Sequence, residues 1–101
     1  MGADEISALL AAAIAACLER SGRSAPRIDP YARVIDGVAG FDSLCGIETT
    51  IELETKLGID LGDNLFVKEI DGRPRACTFN EVVGFVLSLV NGGGHGRKQK
   101  A

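Results

Sequence analysis

Gly40-Phe41-Asp42-Ser43-Leu44 opens an apolar-periodic segment that runs to Leu57, and its reading decides the fold. Leu44, Ile47, Ile51 and Leu57, helped by Leu53, recur at helical spacing. They predict a helix over Ser43–Leu57 with those side chains toward a core. Asp42, Glu48, Glu52 and Glu54 then stand on or beside the solvent face, and Gly58 ends the helix. Ser43 falls on the exposed first turn, between an acid and a leucine expected to point inward. A hydroxyl placed there suits modification by another protein, because no neighbouring side chain could activate it for catalysis.

Upstream, Arg23 to Phe41 contains Pro26, Pro30, Gly37 and Gly40 and reads as a long loop. Loops of that length in small domains are pinned by apolar side chains, here Ile28, Tyr31, Val34, Ile35 and Phe41. Before it, Ile6, Leu9, Leu10, Ala13, Ile14, Cys17 and Leu18 predict an amphipathic helix over 4–20. Asp4 and Glu5 favour its start, Arg20 its end, and Gly22 stops it.

Downstream, Ile59, Leu61, Leu65, Phe66 and Ile70 suggest a short helix around 63–70, followed by a turn at Asp71-Gly72-Arg73-Pro74. Thr78 with Glu81 three residues later matches a capping box. Phe79, Val82, Val83, Val86 and Val90 then form a buried stripe ending at Asn91-Gly92. The expected fold is all-α: a small bundle of three main helices plus one short helix, with a long first loop. Residues 1–91 make one domain, and 92–101 read as a flexible, glycine-rich basic tail.

Composition narrows the function. A chain of 101 residues holds one core, and with no Trp and one Tyr that core is aliphatic. Residues 34–66 carry seven acids against Lys56 alone, a net of −6, whereas residues 67–101 carry six bases against three acids. An acidic middle repels nucleic acid and attracts basic protein surfaces. Cys17, Cys45 and Cys77 form no CxxC pair, and the single histidine, His95, lies in the tail. A disulfide framework and a metal site are both poorly supported, and free thiols in a reducing cytoplasm are the simplest account. The start lacks the positive charge of a signal peptide, and the run Ala11–Ala16 is too short to span a membrane. With no Ser-His or Cys-His pair to assemble, an enzyme is not expected.

Residues 28–61 resemble the acyl carrier protein family and its peptidyl and polyketide carrier relatives. The matching elements are Ile28-Asp29-Pro30, Gly40-Phe41-Asp42-Ser43-Leu44, Ile47-Glu48, Leu53-Glu54 and Leu57-Gly58-Ile59, with weaker agreement outward to residues 4 and 90. The resemblance implies a non-catalytic, monomeric, cytoplasmic carrier. A phosphopantetheinyl transferase would attach 4′-phosphopantetheine to Ser43, and the arm would hold an acyl cargo as a thioester. Asp42 would orient the serine or help the transferase hold its metal, and Leu44 would anchor the turn. Glu48, Glu52 and Glu54 would dock basic patches of acyl-activating, condensing and acyl-transferring enzymes of fatty-acid, polyketide or other specialised lipid or secondary metabolism. An aminoacyl or peptidyl carrier, and an unmodified helical adaptor of the same fold, remain as alternatives. The chain departs from the family's pattern at Cys45-Gly46, at Thr49 where leucine is typical, and in a longer stretch from Asn64 to Cys77.

Overall fold

The structure, a computed structural model, describes residues 2–23 and 27–91. Their elements in order are α1 (Ala3–Arg20), α2 (Ser43–Leu57), β1 (Val67–Ile70), β2 (Arg73–Ala76) and α3 (Phe79–Asn91). The expected flexible tail, with His95, lies outside the described residues. The α1 and α3 predictions hold to within a residue or two. The Gly2 N–H donates to Glu5 Oε1 at 3.0 Å at the head of α1. At α3 the capping box closes in both directions: Thr78 N–H to Glu81 Oε1 at 2.8 Å and Glu81 N–H to Thr78 Oγ1 at 3.1 Å.

The all-α expectation is corrected. Where a short helix was expected around 63–70, the chain forms a two-stranded antiparallel sheet, so the fold mixes three helices with a β-hairpin. Its register pairs Val67 with Ala76, Lys68 with Arg75, Glu69 with Pro74 and Ile70 with Arg73. The two residues between the strands decide this. Asp71 has φ 53° and Gly72 φ 76°, which makes a turn whose twist matches that of paired strands. Two left-handed residues in succession cannot continue a helix. Both strands are largely exposed, so the segment shows none of the alternation that marks a half-buried strand.

The core is built on Ile6, Leu10, Ala13, Ile14, Cys17 and Leu18 of α1 and Phe79, Val82, Val83 and Val86 of α3. The long loop contributes Val34, Ile35, Val38 and Phe41 to it. Tyr31, expected as an anchor, is 80% exposed; its N–H instead donates to Asp29 Oδ1 at 2.9 Å. The loop is held along the approach to α3 by backbone bonds from Val34 N–H to Cys77 O at 3.1 Å, Phe79 N–H to Ala32 O at 3.2 Å and Asn80 N–H to Pro30 O at 3.0 Å. No helix among the described residues is long and apolar enough to cross a membrane.

The largest correction concerns the roll of α2. Its limits fall where predicted, but its buried residues are Cys45, Gly46, Thr49, Thr50 and Leu53. Leu44, Ile47 and Ile51 are 62%, 40% and 56% exposed. The inward face is therefore small and partly polar, and the apolar stripe points to solvent. The Thr50 hydroxyl and the Gly46 carbonyl make the polar contacts on this face. Thr50 Oγ1 donates to Gly46 O at 2.7 Å and accepts the Leu65 N–H at 2.9 Å. Thr49 Oγ1 is buried with no partner among the described residues.

Candidate functional site

Ser43 is the first residue of α2 and is exposed. Asp42 caps the helix: its Oδ1 accepts the Cys45 N–H at 3.0 Å, and its main-chain O accepts the Gly46 N–H at 3.0 Å. The Cys45 amide holds the Asp42 carboxyl below its ordinary range. Asp42 thus belongs to the helix end and secures the turn that carries Ser43. The Ser43 hydroxyl itself makes no hydrogen bond among the described residues. It stands free at a helix start, where partial positive charge and unpaired amides favour an anionic substituent.

Leu44 does not anchor this turn from within, contrary to the sequence expectation. Exposed beside the serine, it heads the stripe that continues through Ile47 and Ile51. The anchoring role falls to Phe41, which is 2% exposed and meets Phe66 edge-to-face with ring centroids 5.1 Å apart. From the other side, Asn64 reaches the turn and donates through Nδ2 to the Ser43 main-chain O at 3.4 Å.

The three acids expected to dock partners are each engaged within the chain. Glu48 Oε1 accepts from Cys17 Sγ at 3.4 Å. Glu52 pairs with Arg20 at 3.6 Å and with Lys56 at 3.4 Å. Glu54 Oε2 accepts the Leu61 N–H at 2.6 Å. Surface ion pairs such as those of Glu52 contribute little to stability, and each of the three carboxylates already has a partner within the chain. The surface that surrounds Ser43 is accordingly more apolar than its sequence suggested.

Near this end of α2, Cys17 and Cys45 approach across the α1–α2 contact. Cys17 Sγ lies 3.9 Å from Cys45 O, and Cys45 Sγ lies 3.8 Å from Gly40 O. Burial first, and then the neighbouring Cys45 and Glu48, push the Cys17 thiol up to about 12. A thiol so protonated at neutral pH is a packing group and a weak donor, with little nucleophilic character. All three cysteines are free and buried. No cluster of metal-ligating side chains occurs among the described residues.

Away from the serine, an apolar groove of about 600 Å³ runs along α1, lined by Ala8, Ala11, Ala12, Ala15, Ile28 and Phe79 among others. It brings no titratable side chain together with a nucleophile. No family model matches this chain, and neither a curated protein nor a solved structure does.

Proposed function

We propose that this chain is an acyl carrier protein that bears 4′-phosphopantetheine on Ser43. The observation that carries the reading is the geometry of that one residue. Its hydroxyl is exposed and unpartnered at the first position of α2, on a turn fixed by the Asp42 cap and by Phe41. Attachment there would displace no hydrogen bond of the Ser43 hydroxyl among the described residues, which supports the fit of the group. In the transfer, Ser43 Oγ attacks the pyrophosphate of coenzyme A at the phosphorus nearer the pantetheine. A new O–P bond forms, the bond to adenosine 3′,5′-bisphosphate breaks, and the serine proton passes to a base of the transferase. The chain supplies position and the transferase supplies the chemistry. When bound, the arm supplies a terminal thiol that carries an acyl group as a thioester.

Docking in this reading rests on Leu44, Ile47 and Ile51. Singly exposed apolar residues are ordinary, but a contiguous stripe next to the reacting group marks an interaction surface. Glu48 lies within the stripe's reach and adds charge that steers basic partners more than it grips them. Partners would be the transferase and the acyl-activating, condensing and acyl-transferring enzymes that use the arm. The free thiols suit a reducing cytoplasm.

Intact mass before and after incubation with coenzyme A, magnesium and a promiscuous phosphopantetheinyl transferase tests the reading on wild type and Ser43→Ala. A gain of one phosphopantetheine on wild type only is expected. A gain on Ser43→Ala as well would remove Ser43 from the role. No gain on either would favour an unmodified adaptor, and loading the arm with amino acids in place of fatty acids would favour an aminoacyl carrier.

A further inference from the structure

We propose that Asn64 is a positioning residue for Ser43, pinning the serine's carbonyl so that the first turn of α2 holds one orientation; the link to arm attachment rests on the carrier reading. The Asn64 carboxamide spans two segments 21 residues apart. Its Oδ1 accepts the Phe66 N–H at 2.9 Å, and its Nδ2 donates to the Ser43 main-chain O at 3.4 Å. Chemistry fixes which end faces which: an N–H needs the amide oxygen and a carbonyl needs the amide nitrogen.

Gly46 is the counterpart of this contact. A Cβ at Gly46 would lie 2.7 Å from Asn64 Oδ1 and 2.9 Å from Nδ2. A glycine inside a helix costs stability relative to alanine, and here it leaves the carboxamide its seat against the first turn. Phe66 ties the arrangement to the rest of the molecule. Its ring packs on Phe41, two residues before the serine, and its carbonyl accepts the Cys77 N–H at 2.8 Å at the root of the hairpin. Ser43 is therefore held through Phe41 on one side, Asn64 on another and the Asp42 cap on a third, while its hydroxyl stays free. Helix starts fray readily, and transfer to a hydroxyl is steeply sensitive to its placement.

Asn64→Asp isolates the contact. It preserves size and the acceptor for Phe66 N–H, but turns an oxygen toward the Ser43 carbonyl. Asn64→Ala removes both bonds and serves as the second variant. Two readouts are taken: kcat and KM for arm transfer, and amide hydrogen exchange along α2. For Asn64→Asp we expect kcat to fall tenfold or more with KM within twofold, and the Cys45 and Ile47 amides to exchange at least fivefold faster while Leu53 is unchanged. Wild-type exchange at Cys45 and Ile47 in both variants would overturn the pin. Faster exchange with an unchanged kcat would overturn its role in attachment. If wild type accepts no arm, the carrier reading and that role fail together, and the exchange data alone decide whether Asn64 holds the turn.

Discussion

Replacing Leu53 and Ile47 by alanine, one at a time, tests which way α2 is rolled. Both residues belong to the same helix, but Leu53 is 2% exposed and Ile47 40%. Each change removes the same number of side-chain carbons. For Leu53 the transfer loss is about 0.8 kcal/mol per buried carbon, and a cavity among neighbours that cannot collapse adds to it, giving roughly 3–4 kcal/mol. For Ile47 the carbons are only partly covered, solvent replaces them without leaving a void, and alanine's better helix propensity recovers a few tenths. The expected loss is about 1 kcal/mol or less. A domain of this size has a net stability of only about 5–15 kcal/mol, so Leu53→Ala approaches the limit of folding while Ile47→Ala does not. Urea unfolding followed by circular dichroism reads the difference directly. With a slope of roughly 1–1.5 kcal/mol per molar, the midpoint falls by about 2–4 M for Leu53→Ala and by under about 1 M for Ile47→Ala. An inverted order, with Ile47→Ala the costlier, would falsify the roll of α2 and restore the inward stripe that periodicity alone suggests.

Buried and capping groups give further outcomes. Thr49→Val replaces a buried hydroxyl with no partner among the described residues by a methyl of the same shape, and should stabilise by about 1 kcal/mol. Thr50→Val strands the buried Leu65 N–H and should cost about 1–3 kcal/mol; equal losses from both in a urea titration would count against the hydroxyl assignments. The melting temperature should also depend on pH at both ends. Asp42 and Glu81 have depressed pKa values in the folded chain, each mainly through a backbone amide, so their contributions hold above the ordinary carboxylate range and vanish as pH falls through their folded values. Cys17, raised from 9.0 to about 12, contributes fully below pH 9.0 and loses that contribution as pH rises toward about 12. Cys17→Ser, which cannot ionise there, should flatten the alkaline limb, and a wild-type melting temperature at pH 10 equal to that at pH 7 would refute the assignment.

Elements whose local pattern agrees with their surroundings were legible in the sequence. Ile6 to Leu18 and Phe79 to Val86 are buried much as their spacing implies, and the Thr78–Glu81 box closes as its residue types require. The limits of α2 were legible for the same reason, since Asp42 caps it and Gly58 ends it, donating its N–H to Glu54 O at 2.8 Å. Its roll was not, because helical periodicity assumes that the apolar face is the buried one. In α2 the small residues Cys45, Gly46 and Thr49 admit close neighbours instead, and no pattern in the helix itself announces that. The hairpin left one readable trace. Asp71-Gly72 is a two-residue hairpin signal, but it reads only as a turn when the flanking residues are exposed and show no alternation. At the site, Asp42 and Ser43 stand at the helix start as expected. Asn64 escaped notice because its partner is a main-chain atom 21 residues away.

The outward stripe on α2 also bears on how the chain reaches this structure. An early compact state selected by apolar contact alone would bury Leu44, Ile47 and Ile51, with α2 rolled the wrong way. Local preference and final arrangement conflict there, and such frustration raises competing compact states on the folding landscape. One short segment makes polar contacts that hold the roll, beside the α1 contacts of Cys17 and Arg20. Leu61 N–H binds Glu54, Asn64 seats against Gly46 and Leu65 N–H binds Thr50. We therefore expect α2 to take its orientation only after residues 61–65 have docked. Polar replacements at Leu44, Ile47 and Ile51 together should then speed refolding in stopped-flow experiments, and an unchanged rate would remove the conflict. A surface suited to recognition in the finished protein is, during folding, a competitor for its core.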